Sequence, residues 1–233
     1  MSEAANLVFL LDVDNTLLDN DRFAVDLGDT LAQAFGESER DRYWSIYEQV
    51  RDESGYADYL GALQRFRRGL DNERALLQMS TYLLEYPFAD RLYPHALETI
   101  DHLRGFAHTV ILSDGDVVFQ PRKIQNAGIW EAVRGEVLIY VHKERMLVGM
   151  QQRYPAAHYV MVDDKPQILA AMKQQLGTRL TTVFVRQGHY AADSAHETIE
   201  PPPDTTITCI DELRRRKLED FLPSAPTIAL AAD

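Results

Sequence analysis

The stretch Leu7-Val-Phe-Leu-Leu-Asp12-Val-Asp14-Asn-Thr16-Leu-Leu-Asp19 decides the fold. Its apolar run, Leu7 to Leu11, stops at two carboxylates spaced two apart. An uninterrupted run of β-formers predicts a strand buried on both faces. Past the end of that strand, Asp12 and Asp14 can both turn toward one point above the sheet edge. Open parallel α/β sheets place their sites along that carboxyl-end rim. Two acids there point to a metal, to acid/base chemistry, or to both. A lone Asp at a strand end reads as a helix cap or turn former, but the pair calls for more. A calcium loop does not fit, because Leu17 stands where Gly is needed and Phe23 where Glu is needed.

The chain of 233 residues, 45% hydrophobic and 26% charged, has an ordinary globular composition. Its net charge of −12 argues against a general nucleic-acid or anionic-membrane surface. A small phosphate held by a local cluster stays compatible with that charge. One cysteine, Cys209, leaves no intramolecular disulfide and no thiolate metal cage. Residues 1–6 lack the pattern of a signal peptide, and no apolar run reaches membrane-spanning length. The expectation is a cytoplasmic protein without nucleic-acid or membrane partners.

Residues 20–89 change character. Leu27, Leu31, Ala34 and Phe35 follow helical spacing up to Gly36; Ser38 with Asp41 predicts a capped second helix through Tyr43, Ile46, Tyr47 and Val50. Tyr56, Tyr59, Leu60, Leu63 and Phe66 make a third stripe, and Leu76, Met79 and Leu83 a fourth begun by Asp71. This is an inserted bundle of four helices. From Arg91 onward strands and helices alternate. His108–Ser113, Val137–Val141, Tyr159–Val162 and Thr182–Val185 read as strands, with a short one near Ile207–Ile210 and a last helix from Glu212 to Phe221. Short links between alternating elements mean a parallel sheet sandwiched by helices. The expected division is a Rossmann-like α/β core at 1–19 and 90–222, a helical cap at 20–89, and a fraying tail at 223–233.

Four strands end in polar residues: Asp12/Asp14, Ser113, Lys143 and Asp163/Asp164. In a parallel sheet these ends share one edge. Four carboxylates and one ammonium carry −3, and acids packed that closely push one another toward protonation. A divalent cation resolves the conflict, and all-oxygen ligands favour Mg²⁺ over Zn²⁺. A phosphoryl group suits such a site, with a carboxylate as nucleophile, the Ser hydroxyl and turn amides on its oxygens, and the second Asp moving the proton.

Asp12-Val-Asp-Asn-Thr-Leu17, then Ser113, Lys143 and Asp163-Asp164, in that order, resemble the four motifs of the haloacid dehalogenase-like hydrolase superfamily. The position of the helical insert matches its helical-cap group. The resemblance implies Asp12 as nucleophile of an aspartyl-phosphate and Asp14 as general acid/base. It implies Mg²⁺ on the Asp12 carboxylate, the Asp14 carbonyl and Asp164, with Asp163 helping, and Ser113 and Lys143 on the phosphate. Thr16 would steady the loop, and the stretch after Asp19 would hinge the cap.

Two motifs depart from the family's usual form. His142-Lys143-Glu144 replaces Gly-Lys-Pro, which makes Lys123 a competitor, although its helix placement reads as a surface lysine. Ser113-Asp114-Gly115 replaces Ser/Thr-Asn-Gly, so Asp114 either points away or meets a substrate cation or hydroxyl. Of the cap arginines 65, 67 and 68, Arg67 lies nearest the apolar stripe and is the candidate for a substrate tail. The histidines, Trp44 and Trp130 read as structural.

The resulting expectation is a Mg²⁺-dependent phosphatase of a small phosphorylated metabolite. A phosphotransferase or sugar-phosphate mutase uses the same residues. A 2-haloacid dehalogenase lacks the second acid, a phospho-receiver has a different motif order, and a silent binding protein would not need every reactive residue.

Overall fold

The computed structural model describes residues 7–193 and 198–222. The elements run in chain order: β1 (Leu7–Leu11), α1 (Asn20–Phe35), α2 (Glu37–Ser54), α3 (Tyr59–Phe66), α4 (Glu73–Glu85), α5 (Ala96–Arg104), β2 (His108–Asp114), α6 (Phe119–Asn126), α7 (Ile129–Ala132), β3 (Val137–Tyr140), α8 (Leu147–Arg153), β4 (His158–Asp163), α9 (Pro166–Leu176), β5 (Leu180–Val185), α10 (Gly188–Asp193) and β6 (Thr205–Ile207). The six strands form one parallel sheet in the order β3-β2-β1-β4-β5-β6.

β1 lies inside that sheet, which is why it needs no polar face. Phe9 and Leu11 enter the core cluster beneath α1, α5 and α6, and Val8 and Leu10 enter the cluster beneath α8 and α9. From β1 the chain builds β2 and β3 to one side and β4 to β6 to the other. The order therefore reverses beside β1, the place where such sheets open a crevice at their carboxyl ends.

Helices α1 to α4 are inserted between β1 and α5. Their entry and exit strands cross: the Asp19 amide donates to the Arg91 carbonyl and the Tyr93 amide to the Leu17 carbonyl, at 2.7 and 2.9 Å. The Asp19 side chain then caps α1 by accepting from the Arg22 amide at 2.8 Å. Phe23 packs the insert onto the core. Its ring meets Tyr59, Tyr86, Phe88 and Phe119 at centroid separations of 4.9–5.9 Å. Among the described residues no helix is long and apolar enough to cross a membrane.

Several local expectations shift. Gly36, at φ 91°, ends α1 and begins α2 by itself, so Ser38 lies inside the helix and caps nothing. Asn72, not Asp71, caps α4, because its side chain reaches the Ala75 amide at 3.1 Å. Tyr56 precedes α3, which Asp58 caps. The last helix is two 3₁₀ turns, Ile210–Arg215 and Leu218–Phe221, because Arg216 is extended and Asp220 captures the Lys217 amide to start a new turn. The final strand ends at Ile207, and α10 had no sequence signal. Trp44 and Trp130 are only half-buried at the edge of the core. The expected tail from residue 223 lies outside the described residues.

Phe23→Ala removes a fully buried ring from the joint between insert and core. It should cost about 3–5 kcal/mol in denaturant unfolding, against under about 0.5 for Leu77→Ala, which is 71% exposed. Equal, small losses at both positions would contradict this packing.

Candidate active site

The turn after β1 is built to send its two acids in different directions. The amides of Leu17 and Leu18 both donate to the Val13 carbonyl, and Asn15 sits at φ 57°, a conformation Asn tolerates better than most residues. The Asn15 side chain then accepts from the amides of Asn20 and Asp21 at 3.1 and 3.2 Å and locks the turn to the start of α1. Gly188, at φ 68°, packs so closely that a Cβ there would lie 2.5 Å from the Asn15 side chain. Gln187 closes the back of the turn: its amide donates to the Thr16 carbonyl at 3.0 Å while its oxygen accepts from the Ile210 amide at 2.7 Å.

Asp12 points into the protein. Lys143, 1% exposed, bonds its carboxylate and lies 2.7 Å from Asp163. The Lys143 backbone is anchored in turn: its amide donates to the Asp114 carboxylate at 2.8 Å. Of the two open choices for Asp114, the structure thus assigns it a bond within the protein, at the foot of the cavity it also lines. Oxygens of Asp12, Asp163 and Asp164 all lie within 4.8 Å of one another, and all three residues are buried. Asp163 spends one oxygen on the Lys165 amide at 2.9 Å. Both oxygens of Asp164 are buried without a hydrogen-bond partner.

That crowding sets the titration. Burial raises the Asp12 carboxyl to about 7, with Lys143 pulling down and Asp163 pushing up. Burial, then Asp163 and Asp12, raise Asp164 to about 9. Burial alone would lower the Lys143 ammonium, but Asp12, Asp163 and Asp114 outweigh it and hold the lysine charged. Three carboxylates, two orphaned oxygens and no nitrogen or sulfur donor fit a hard divalent cation.

Asp14 takes no part in that trio through its side chain, and the resemblance asks only for its backbone carbonyl. It turns instead toward α6, where Lys123 bonds it at 2.8 Å and Gln120 at 3.3 Å. Gln120 also donates to the Ser113 hydroxyl at 3.0 Å. Lys123 is no surface lysine: it is 1% exposed, bonds Asn20 at 2.9 Å, and lies 5.3–5.8 Å from the centroids of Phe23, Tyr59, Phe88 and Phe119. Those rings supply the attraction that makes a buried ammonium tolerable beside one carboxylate. The two lysines serve different acids: Lys143 reaches Asp12 and Lys123 reaches Asp14. Gly115 differs from expectation as well. Its amide donates to the Tyr140 carbonyl at 2.9 Å and is spent there, and its lack of a side chain lets Gln120 approach.

A cavity of about 920 Å³ opens between these strand ends and helices α1 to α3. Arg67 does not line it; that arginine is exposed, contacts Gln64, and borders a separate small cleft between α3 and α4. The arginine on the cavity is Arg51 of α2. Sequence reasoning passed over Arg51, Gln120 and Lys165, which carry no motif, and weighed Lys123 only as a surface competitor of Lys143. It also passed over His189, whose ring nitrogen lies 2.6 Å from Asp21 at the cavity wall.

Residues 7–177 match the haloacid dehalogenase-like hydrolase family. A haloacid dehalogenase-like hydrolase from Burkholderia xenovorans LB400 is 55% identical, covers 91% of this chain and 99% of its own, and superposes with a TM-score of 0.85. The HAD-hydrolase YfnB from Bacillus subtilis, solved bound to magnesium, is 16% identical with a TM-score of 0.61, covering 91% and 98%. The L-2-haloacid dehalogenase of Xanthobacter autotrophicus is 18% identical with a TM-score of 0.58, covering 91% and 97%. Among curated proteins none matches. The match across most of the chain, with the parallel sheet and the acids at its carboxyl edge, places this protein in the haloacid dehalogenase-like hydrolase family.

Proposed function

We propose that the protein is a Mg²⁺-dependent phosphatase that hydrolyses a small phosphate monoester through an aspartyl-phosphate on Asp12. The observation that carries this reading is a second acid, Asp14, held by Lys123 and Gln120 beside the buried trio of Asp12, Asp163 and Asp164. An alkoxide leaving group needs a proton, whereas a halide does not. Asp14 therefore favours a phosphate ester over a 2-haloacid, and the dehalogenases of similar fold share too little sequence to argue otherwise.

Asp12, Asp163 and Asp164 would hold Mg²⁺, which supplies charge neutralisation for the phosphoryl oxygens. The chain's own residues do the rest. An Asp12 oxygen attacks phosphorus, the bond to the leaving oxygen breaks, and Asp14 gives that oxygen its proton. Lys143 orients the Asp12 carboxylate and offsets its charge against Asp163. The Ser113 hydroxyl, fixed by Gln120, would receive an oxygen of the transferred group. Asp14 next takes a proton from water, whose oxygen attacks phosphorus and frees Asp12 as phosphate departs.

Asp12→Asn should abolish phosphate release from a panel of monoesters, by about 10³-fold or more, while leaving thermal unfolding near that of the parent. Turnover surviving the substitution would refute the covalent route.

The raised acids give a second prediction. A carboxyl whose folded pKa exceeds its unfolded value holds its proton more tightly in the folded chain, so its contribution is full below the unfolded value and is lost progressively as pH climbs to the folded one. With Asp12 near 7 and Asp164 near 9, the metal-free protein should lose about 1 kcal/mol per pH unit between pH 7 and 9. Mg²⁺ takes the proton's place and should flatten that slope. Thermal unfolding with EDTA and with excess Mg²⁺ reads both; identical slopes would count against cation binding at these acids.

A further inference from the structure

The cavity has two unlike ends. At the core end Lys143 is buried among the acids, and Lys165 lines the wall with its ammonium 4.8 Å from the centroid of Tyr190. This end suits the phosphoryl group. The cap end is aromatic and acidic. Trp44, Tyr47 and Tyr59 form a run of rings with centroids 5.4 and 4.8 Å apart, and Tyr56 joins them on the cavity wall. Glu48 and Asp52, both on α2, stand at the rim.

Charge at the cap end is one-sided. At this end the lining holds two carboxylates, Glu48 and Asp52, against one permanent cation, Arg51. Lys165 belongs to the core end. Arg51 is tied to Glu48 at 2.6 Å, so its charge is already answered. Asp52 has no hydrogen-bond or ion-pair partner among the described residues and stays open to solvent. Arg67, the cap arginine expected to grip an anionic tail, faces a different cleft.

A second phosphate or a carboxylate on the organic half would meet the Asp52 carboxylate beside an Arg51 already paired with Glu48, and among the described residues no other permanent cation lines the cap end. An ammonium would pair with the open Asp52 carboxylate and meet the half-buried Trp44 ring favourably. Resting on the phosphatase reading, we propose that the chamber selects phosphate monoesters whose organic half bears an ammonium charge and no second anion. The two acids divide that selection: Asp52 attracts the ammonium, and Glu48 keeps Arg51 from serving an anion.

The test compares kcat/KM on the Mg²⁺-loaded protein for esters of similar size. Phosphoethanolamine and phosphocholine are the cationic probes, phosphoglycolate is the anionic one, and p-nitrophenyl phosphate reports phosphatase activity without either charge. The cationic esters should exceed phosphoglycolate by about tenfold or more, as expected where charge attraction replaces charge repulsion at the rim. Glu48→Gln, which frees Arg51, should shrink that ratio by about tenfold, and Glu48→Asp should retain most of it. Hydrolysis of p-nitrophenyl phosphate with phosphoglycolate used as well as the cationic esters would overturn the selectivity and leave the phosphatase reading standing. So would a ratio untouched by Glu48→Gln. Failure to release phosphate from any ester, p-nitrophenyl phosphate included, would overturn both.

Discussion

A single buried ammonium lets the carboxyl edge of this sheet exist. Lys143 bonds Asp12 and lies 2.7 Å from Asp163 in a place where water contributes little, since all three side chains are buried. Without it, β1 and β4 would end in uncompensated charge, and a buried charge that has lost its partner is strongly destabilising. Its own position is held from the next strand over, because the Asp114 carboxylate at the end of β2 accepts the Lys143 amide. Four neighbouring strands, β3, β2, β1 and β4, are thereby joined at their ends by contacts that the β-ladder itself does not provide. The compensation is incomplete. Asp164 remains with two orphaned oxygens and a carboxyl raised by burial and by its neighbours, and this residual imbalance is what a divalent cation would relieve.

A second ion pair, Lys123 with Asp14, links the site to the insert. Lys123 also bonds Asn20 at the start of α1, and Asn20 donates to the Tyr59 hydroxyl on α3. The rings around Lys123 come from both sides: Phe23 and Tyr59 from the insert, Phe119 from α6. The proton carrier of the proposed reaction is therefore fixed by the same contacts that pack insert on core. A displacement of α1 or α3 would be felt at Asp14 before it reached Asp12, whose partners Lys143 and Asp163 both belong to the core.

The sheet and the trio of acids were legible because their signals are local. An apolar run that stops at a carboxylate marks a buried strand and its end within a few residues, and parallel topology then gathers such ends without further information. Lys123 was not legible in this way. Its partner Asp14 is 109 residues distant, and the rings that shelter it arise from segments whose packing no periodicity reports. Arg67 fails for a related reason. Helical angle says which side of α3 a residue occupies, but not what stands opposite, and opposite Arg67 stands α4 rather than the cavity. The turn amides after Ser113 were expected on a phosphate, whereas the fold spends the Gly115 amide at the sheet edge and needs its missing side chain for Gln120.

The proposed chemistry turns on which atom water attacks after Asp12 has reacted. In an aspartyl-phosphate the attack falls on phosphorus; in an ester left by a haloacid it falls on the Asp12 carboxyl carbon. Repeated turnover of p-nitrophenyl phosphate in oxygen-18-enriched water, followed by mass spectrometry of the released phosphate and of the Asp12 peptide, separates the two directly. The aspartyl-phosphate route predicts label in the phosphate and an Asp12 peptide of unchanged mass. Label entering the Asp12 carboxylate would contradict it.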